Sequence, residues 1–181
     1  MYAQEILVHA LDRNLSISEE SELQMRKQKG FSLIELLIVV AIILIIAAIA
    51  IPNLLRSRIA ANEASAVGSM RTINTAETTY NSTYPTVGYT STMGNLAGTG
   101  CTAPTSTSAC LIDTTLAGTS ATSPKSGYYF KLGSSSAVGY TLNGYPAQQG
   151  SSGIKGFYSD ATAVIRYNAS GTAGSSDPAI Q

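Results

Sequence analysis

An unbroken apolar run of 21 residues is the feature that most constrains the fold of this chain. It covers residues 31–51 and contains one ionisable side chain, Glu35. As a helix that rises about 1.5 Å per residue, the run would measure roughly 31 Å, close to the thickness of the hydrocarbon core of a bilayer. The run therefore predicts a membrane-spanning helix.

The charges on either side of the run predict its orientation. Three basic residues precede it and two follow it closely: Arg26, Lys27, Lys29, then Arg56 and Arg58. Because an excess of Lys and Arg marks the cytoplasmic side, we expect a cytoplasmic N-terminus.

A cleavable signal peptide cut near residues 48–50 is the alternative interpretation of the apolar run. The run is longer than the 7–15 apolar residues of such signals, it contains Glu35, and the helical pattern continues beyond the supposed cut. A retained helix is therefore favoured.

Glu35 requires a specific explanation, because a charged side chain inside a bilayer costs on the order of 3 kcal/mol. Such a group needs a cation or a proton as its partner. The alternative is an acid in the first helical turn that reaches the membrane interface and is favoured by the helix dipole.

The sequence Gly30-Phe31-Ser32-Leu33-Ile34-Glu35, with its basic leader and apolar continuation, resembles the class III signal of type IV pilins and type II secretion pseudopilins. The resemblance implies that prepilin peptidase cuts between Gly30 and Phe31, and that the new Phe31 amine is methylated. It also implies an α+β pilin fold, in which a long N-terminal helix packs on a small antiparallel sheet.

Residues 1–30 are then a leader that is removed on maturation. The stretch from Met25 onward is short and basic, as many pilin leaders are, whereas residues 1–24 are rich in acids. We expect translation to begin at Met25, and the alternative is an acidic cytoplasmic extension that is lost with the leader.

The resemblance also implies how the subunits assemble. Cleavage creates a cationic amine on Phe31, four residues before Glu35, and in a filament the family places this glutamate opposite the terminal amine of a neighbouring subunit. Pro52 removes one backbone donor, so we expect a kink or a local opening of the helix there. Residues 52–80 keep a helical apolar period and predict an amphipathic continuation.

Residues 81–181 predict an extracytoplasmic head. Half of residues 81–125 are Ser, Thr or Gly, which indicates a long surface loop that contributes little to a core. Cys101 and Cys110 lie in this loop with eight residues between them, and outside the cytoplasm such a pair most simply forms a disulfide.

Short strand-like runs follow the loop within residues 126–168. They cover residues 128–132, 138–142, 156–158 and 164–167, with turn residues at 133–136 and 159–162. Alternation of apolar and polar side chains in the first run predicts an antiparallel sheet with one covered face. The small and polar residues after Asn168 predict a mobile tail.

Catalysis has little support in the sequence. The one histidine, His9, precedes the expected cleavage site, and Asp160 has no evident acidic partner, so a turn role suits it better. No motif for a metal or another cofactor is present, and nucleic-acid binding is not predicted. Three arginines of the helix, Arg56, Arg58 and Arg71, are expected to form a solvated stripe or to pair with Glu63 and Glu77 across subunits.

These features predict a structural subunit of a type IV pilus filament. Its partners would be further copies of itself, prepilin peptidase, and an inner-membrane assembly platform with a motor. The subunit would lie in the inner membrane before assembly and in an extracellular pilus afterwards. The alternatives are a pseudopilin of a type II secretion system and a monomeric single-span protein with a ligand-binding head.

Overall fold

The computed structural model of the chain describes residues 30–98 and 101–180. Its helices are α1 (Leu33–Thr83), α2 (Met93–Leu96) and α3 (Thr114–Ala117), and its strands are β1 (Tyr128–Ser135), β2 (Tyr140–Pro146), β3 (Gly156–Asp160) and β4 (Arg166–Asn168). The chain divides into two compact units, residues 1–47 and 48–181. The predicted α+β class, with a long N-terminal helix and a small antiparallel sheet, is confirmed.

The described part of the first unit is the N-terminal portion of α1 and the three residues before it. By length and composition, α1 can cross a membrane, and none of its most apolar stretch is buried. The helix begins two residues after the predicted start at position 31 and ends three residues after the predicted end near Tyr80. The expected start of translation and the leader before Gly30 lie outside the described residues.

The second unit is built on the part of α1 between Ile59 and Tyr80. Its buried apolar side chains recur at intervals of three, four or seven residues, as a helix with one covered face requires: Ile59, Ala66, Met70, Ile73, Ala76 and Tyr80. The strands contribute the opposite side of the same core, chiefly Tyr128, Phe130, Leu132, Leu142 and Phe157. Burial of this apolar surface holds the helix and the sheet together.

The four described strands form one antiparallel sheet in the order β1-β2-β3-β4. Tyr128, Phe130 and Leu132 point to the core, whereas Tyr129 and Lys131 lie on the other face, so the predicted alternation is confirmed. The predicted strands overlap the observed ones, but β2 extends to Pro146. The connections occupy residues 136–139 and 161–165, two or three positions later than predicted.

The segment of residues 81–125 differs from the predicted surface loop. Six of its apolar side chains are buried in the core: Met93, Leu96, Ala97, Ala109, Ile112 and Leu116. Backbone hydrogen bonds join its two halves, with the Leu111 N–H donating to the Leu96 carbonyl at 2.7 Å. These apolar residues follow no helical or strand period. They join the core because each packs in the same cluster as side chains of α1 and the sheet.

The tail after Asn168 also differs from the prediction, because it packs on β4. The Tyr167 N–H donates to the Pro178 carbonyl at 3.1 Å, and the Ile180 N–H donates to the Ile165 carbonyl at 2.8 Å. Asp177 accepts hydrogen bonds from the side chain of Asn168 and from the Gly174 N–H. These long-range pairings order a segment whose composition alone indicates mobility.

Candidate assembly site

The predicted processing site lies just before the start of α1. Gly30 and Phe31 are exposed, and 84% of the Phe31 surface is accessible. Neither residue belongs to the helix, which begins at Leu33. The peptide bond between them is therefore in non-helical, accessible backbone, and cleavage at this bond stays a prediction.

Glu35 lies in the first turn of α1 and its carboxylate bonds to the backbone. The Ser32 N–H donates to Glu35 Oε2 at 2.9 Å, while the Leu36 N–H donates to the Ser32 carbonyl at 3.2 Å. This is the glutamate half of a capping box, in which an acid at the third helical position binds the N-cap N–H. In the uncleaved chain, Glu35 thus acts as a helix cap. Its pairing with a terminal amine and the alternative, in which it reaches the membrane interface, both stay predictions.

A large uncovered apolar surface follows this turn. The Leu, Ile and Val side chains of residues 33–46 are between 45% and 76% exposed. Soluble proteins rarely expose contiguous apolar patches of more than a few hundred Å², so a surface of this kind indicates lipid or protein contacts. Its chemistry suits both the interior of a bilayer and a bundle of identical helices.

Pro52 lies inside α1, and the helix continues on both sides of it. The missing N–H removes one helical hydrogen bond, and the ring crowds the preceding turn. The local opening expected at this residue stays a prediction.

Polar side chains of α1 bind the connection between β2 and β3. Glu63 Oε1 accepts hydrogen bonds from the N–H groups of Ile154 and Lys155, both at 3.1 Å, and Glu63 Oε2 lies 3.3 Å from Lys155 Nζ. Asn62 Nδ2 donates to the Ser152 carbonyl at 2.8 Å. Because its carboxylate already has these partners within the chain, Glu63 does not fit the predicted pairing with arginines of other subunits.

Glu77, the other acid proposed to pair across subunits, is inaccessible because its side chain is fully buried. The predicted pairing of Glu77 with an arginine of another subunit is therefore wrong. Glu77 lies four residues after Ile73 and three before Tyr80, on the helix face that carries the core, and this spacing was the available signal. The alternative of a solvated stripe fits better, because Arg56, Arg58 and Arg71 are exposed.

The predicted disulfide between Cys101 and Cys110 is present, with a Cα–Cα distance of 5.9 Å. The loop it closes is anchored to α1, because the Tyr80 hydroxyl donates to the Ser106 carbonyl at 2.5 Å. The residues that follow, Leu111 and Ile112, pair with Leu96. The disulfide therefore closes a loop that is held at its middle by Tyr80 and just beyond Cys110 by Leu96.

The carboxylates of the head are used in turns and caps. Asp160 accepts from the N–H and the hydroxyl of Thr162, which confirms its predicted turn role. Asp113 caps α3 by accepting from the Leu116 N–H at 2.7 Å. Within residues 30–98 and 101–180, no three His, Cys, Asp or Glu side chains are grouped closely enough to hold a metal ion.

The N-terminal region of the chain is similar to known proteins. Residues 25–51 match the family described as the prokaryotic N-terminal methylation motif. Over 39 residues the chain is 67% identical to the type IV wide pilus major component PilA4 of Thermus thermophilus. The matched stretch covers 22% of this chain and 30% of that relative, so the chain spans less than a third of the relative's length in this comparison.

Proposed function

We propose that this chain, which belongs to the type IV pilin family through its N-terminal region, is the structural subunit of a type IV pilus filament. The observation that carries the proposal is the uncovered apolar surface of α1 directly behind an accessible Gly30-Phe31 bond. The methylation motif and the similarity to a pilus component support the same conclusion.

Maturation is the first step of the proposed function. Prepilin peptidase would cut between Gly30 and Phe31 and leave Phe31 as a methylated N-terminal residue. The exposure of both residues and the start of the helix at Leu33 support this step, because the scissile bond needs no helix unwinding to be reached.

Cleavage changes the electrostatics around Glu35. Before the cut, the Phe31 nitrogen is an uncharged peptide nitrogen, and Glu35 has the Ser32 N–H as its hydrogen-bond donor. After the cut, Phe31 carries an ammonium group, which remains cationic when it is methylated once. In the filament, this cation would pair with Glu35 of a neighbouring subunit in a medium of low dielectric constant, where such an attraction is stronger than in water.

Assembly moves α1 from lipid into a bundle of identical helices. Since lipid tails and the bundle interior are similarly apolar, the transfer gains little hydrophobic free energy. Helix packing, contacts between heads and the Glu35 ion pair would therefore determine cohesion, and an inner-membrane platform with its motor would drive extraction. The subunit would be a single-pass inner-membrane protein before assembly and part of an extracellular pilus afterwards.

Mass spectrometry of filaments sheared from the cell surface tests processing, location and assembly together. We expect the subunit to begin with methylated Phe31. Recovery of a chain that retains the Gly30-Phe31 bond would contradict the proposal and favour a monomeric single-span protein. Short periplasmic fibres in place of long surface filaments would favour a pseudopilin, which shares the same N-terminal motif.

The substitution Glu35→Gln separates ion pairing from helix capping. Glutamine keeps an oxygen that can accept from the Ser32 N–H but carries no charge. If the ion pair is worth even about 1.4 kcal/mol, the variant should lower the association constant tenfold, so far fewer filaments should form while membrane insertion persists. Filament counts by electron microscopy and subunit levels in the membrane fraction measure both effects.

The matched control is Glu63→Gln, a change of the same type on the same helix at a site bonded within the chain. It should leave filament numbers close to those of the wild type. Normal filament formation by Glu35→Gln would show that Glu35 serves only as a cap.

A further inference from the structure

Glu77 is a buried acid to which the proposed function assigns no role. Its side chain has no accessible surface. Oε2 accepts one hydrogen bond, from the Thr90 N–H at 3.1 Å, and Oε1 has no hydrogen-bond partner. Among the ion pairs of residues 30–98 and 101–180, none involves Glu77. Such an acid is poorly compensated, since buried carboxylates are normally paired or fully hydrogen-bonded.

The titratable groups that face Glu77 are phenols. Tyr80 approaches from the same helix and Tyr140 from β2, and burial first and the Glu77 carboxylate second raise the pKa of both hydroxyls. The ring of Tyr84 packs against Tyr80 and that of Tyr89 against Tyr140, both in tilted geometry, and Asp160 acts on Tyr140 as a further negative charge. None of these groups supplies a positive charge to the carboxylate.

Burial therefore dominates the titration of this acid. It raises the pKa of Glu77 from 4.5 to about 7, even though the hydrogen bond from the Thr90 N–H favours the ionised form and acts in the opposite direction. Around pH 7 the side chain is divided between its two forms, so a small change of pH alters its charge.

Hydrogen bonds connect Glu77 to the disulfide loop. Thr90, whose N–H binds Glu77, accepts a hydrogen bond on its hydroxyl from Asn95 Nδ2 at 3.0 Å. The Asn95 carbonyl in turn accepts from the Ala109 N–H at 2.8 Å, next to Cys110. Residues 89–97, which we call the latch segment, thus lie between Glu77 and the disulfide loop of residues 101–110.

We propose that Glu77 is a proton-dependent latch that controls how firmly the latch segment and the disulfide loop are held on α1. The neutral carboxyl group can stay buried at a moderate free-energy cost. The carboxylate requires water, and water reaches it only when the segment that covers it moves away. Protonation therefore favours the closed segment, and ionisation favours its local opening.

The direction and size of the effect follow from linkage. The pKa of the carboxyl is about 7 in the closed state and close to 4.5 once water reaches it. The open population should consequently rise as the pH increases from 4.5 to 7, by up to about 300-fold in total, and should remain constant above this range. The device belongs to the head and does not depend on the proposed filament function.

Hydrogen–deuterium exchange of the processed full-length protein in detergent tests the latch. Protection of the amides in residues 89–97 and 109–112, corrected for intrinsic exchange rates, should fall between pH 4.5 and 7. In Glu77→Gln, which is uncharged and of similar shape, the same protection should not depend on pH. The control Glu63→Gln should retain the pH dependence of the wild type.

Carbon-13 NMR of the wild-type protein with labelled glutamate carboxyls gives a second measurement that needs no variant. One carboxyl should titrate close to pH 7. The proposal is overturned if every glutamate titrates in its ordinary acidic range, if protection of the latch segment does not depend on pH, or if the latch segment is protected as strongly as the sheet amides at every pH and therefore opens only with the whole head.

Discussion

Three glutamates on α1 show how strongly environment determines the role of one residue type. Glu35 is exposed and caps the first turn, whereas Glu63 binds two backbone N–H groups and the ammonium of Lys155. Glu77 is fully buried with a single donor. Since all three occupy the same helix, their different chemistry arises from what lies opposite each side chain.

The capping carboxylate of α3 gives a prediction for a single residue. Asp113→Ala removes the acceptor of the Leu116 N–H and should lower the free energy of unfolding by about 1 kcal/mol. Asp113→Asn keeps an acceptor and should cost only a few tenths. Lys125→Ala should change little, because the Lys125–Asp113 ion pair is exposed. Urea unfolding of the detergent-purified protein measures all three variants.

The same carboxylate has a defined pH dependence. The hydrogen bond from the Leu116 N–H, and secondarily Lys125, lower the pKa of Asp113 below its usual value of 3.8. A lowered pKa in the folded state stabilises the fold above pH 3.8, and this contribution is lost as the pH falls through the folded-state pKa. An equal acid sensitivity of Asp113→Ala and the wild type would contradict the capping role.

At the scale of elements, segments without regular structure pack against the sheet and against α1. The tail lies along β4 through the bonds at Tyr167 and Ile180, and the disulfide loop lies against α1 through Tyr80. Regular elements are recognisable from local periodicity, but these segments are ordered only by contacts with residues distant in sequence.

The contact between β3 and the tail can be tested at one glycine. A Cβ at Gly156 would collide with the backbone of Gly171, which cannot rotate away as a side chain can. Gly156→Ala should therefore displace the tail and lower the free energy of unfolding by about 1–3 kcal/mol, as overpacking does. Proteolysis within residues 169–180 should also become faster.

Gly174→Ala is the matched control, because a Cβ there has no atom within 4 Å. It should leave stability and proteolysis close to those of the wild type. Equal effects of the two substitutions would show that the tail does not pack against β3.

The disulfide gives a second test at this scale. Replacing both Cys101 and Cys110 by serine opens a ten-residue loop, which should lower the free energy of unfolding by about 3 kcal/mol in the chain-entropy model. Because Ala109 and Ile112, next to this loop, are buried in the core, amide exchange of residues 109–112 should also become faster. An unchanged unfolding midpoint would contradict a stabilising role.

At the scale of the whole molecule, the two units differ in how much of their apolar surface is exposed. The described part of the first exposes nearly all of its apolar side chains, whereas the second buries a shared core of helix and sheet. The first is suited to lipid and to other helices, and the second is suited to water. The proposed function, in which the subunit leaves a membrane to join a filament, would require both properties.

The stability of the head should depend on pH through Glu77. Its pKa is about 7 in the fold and 4.5 in water, so the folded state binds the proton more tightly than the unfolded state. The stabilising contribution is fully present below pH 4.5 and is lost as the pH rises to 7, with a total loss of up to about 3 kcal/mol.

Urea unfolding of the wild type and Glu77→Gln across this pH range measures the effect. The difference in unfolding free energy between the two proteins should change by about this amount, which removes the contributions of the other acids. A difference that stays constant with pH would show that Glu77 titrates alike in the folded and unfolded states.

The sequence by itself determined the apolar helix, the motif at Gly30 and Phe31, the disulfide pair and the alternating strand β1. Each of these depends on composition, spacing or period within a short stretch of chain. Only the tertiary structure decided that residues 81–125 and the tail join the core, that Glu63 is satisfied by residues 154 and 155, and that Glu77 is buried. The physical reason is that burial and hydrogen bonding depend on which distant surfaces meet, and local pattern does not record that pairing.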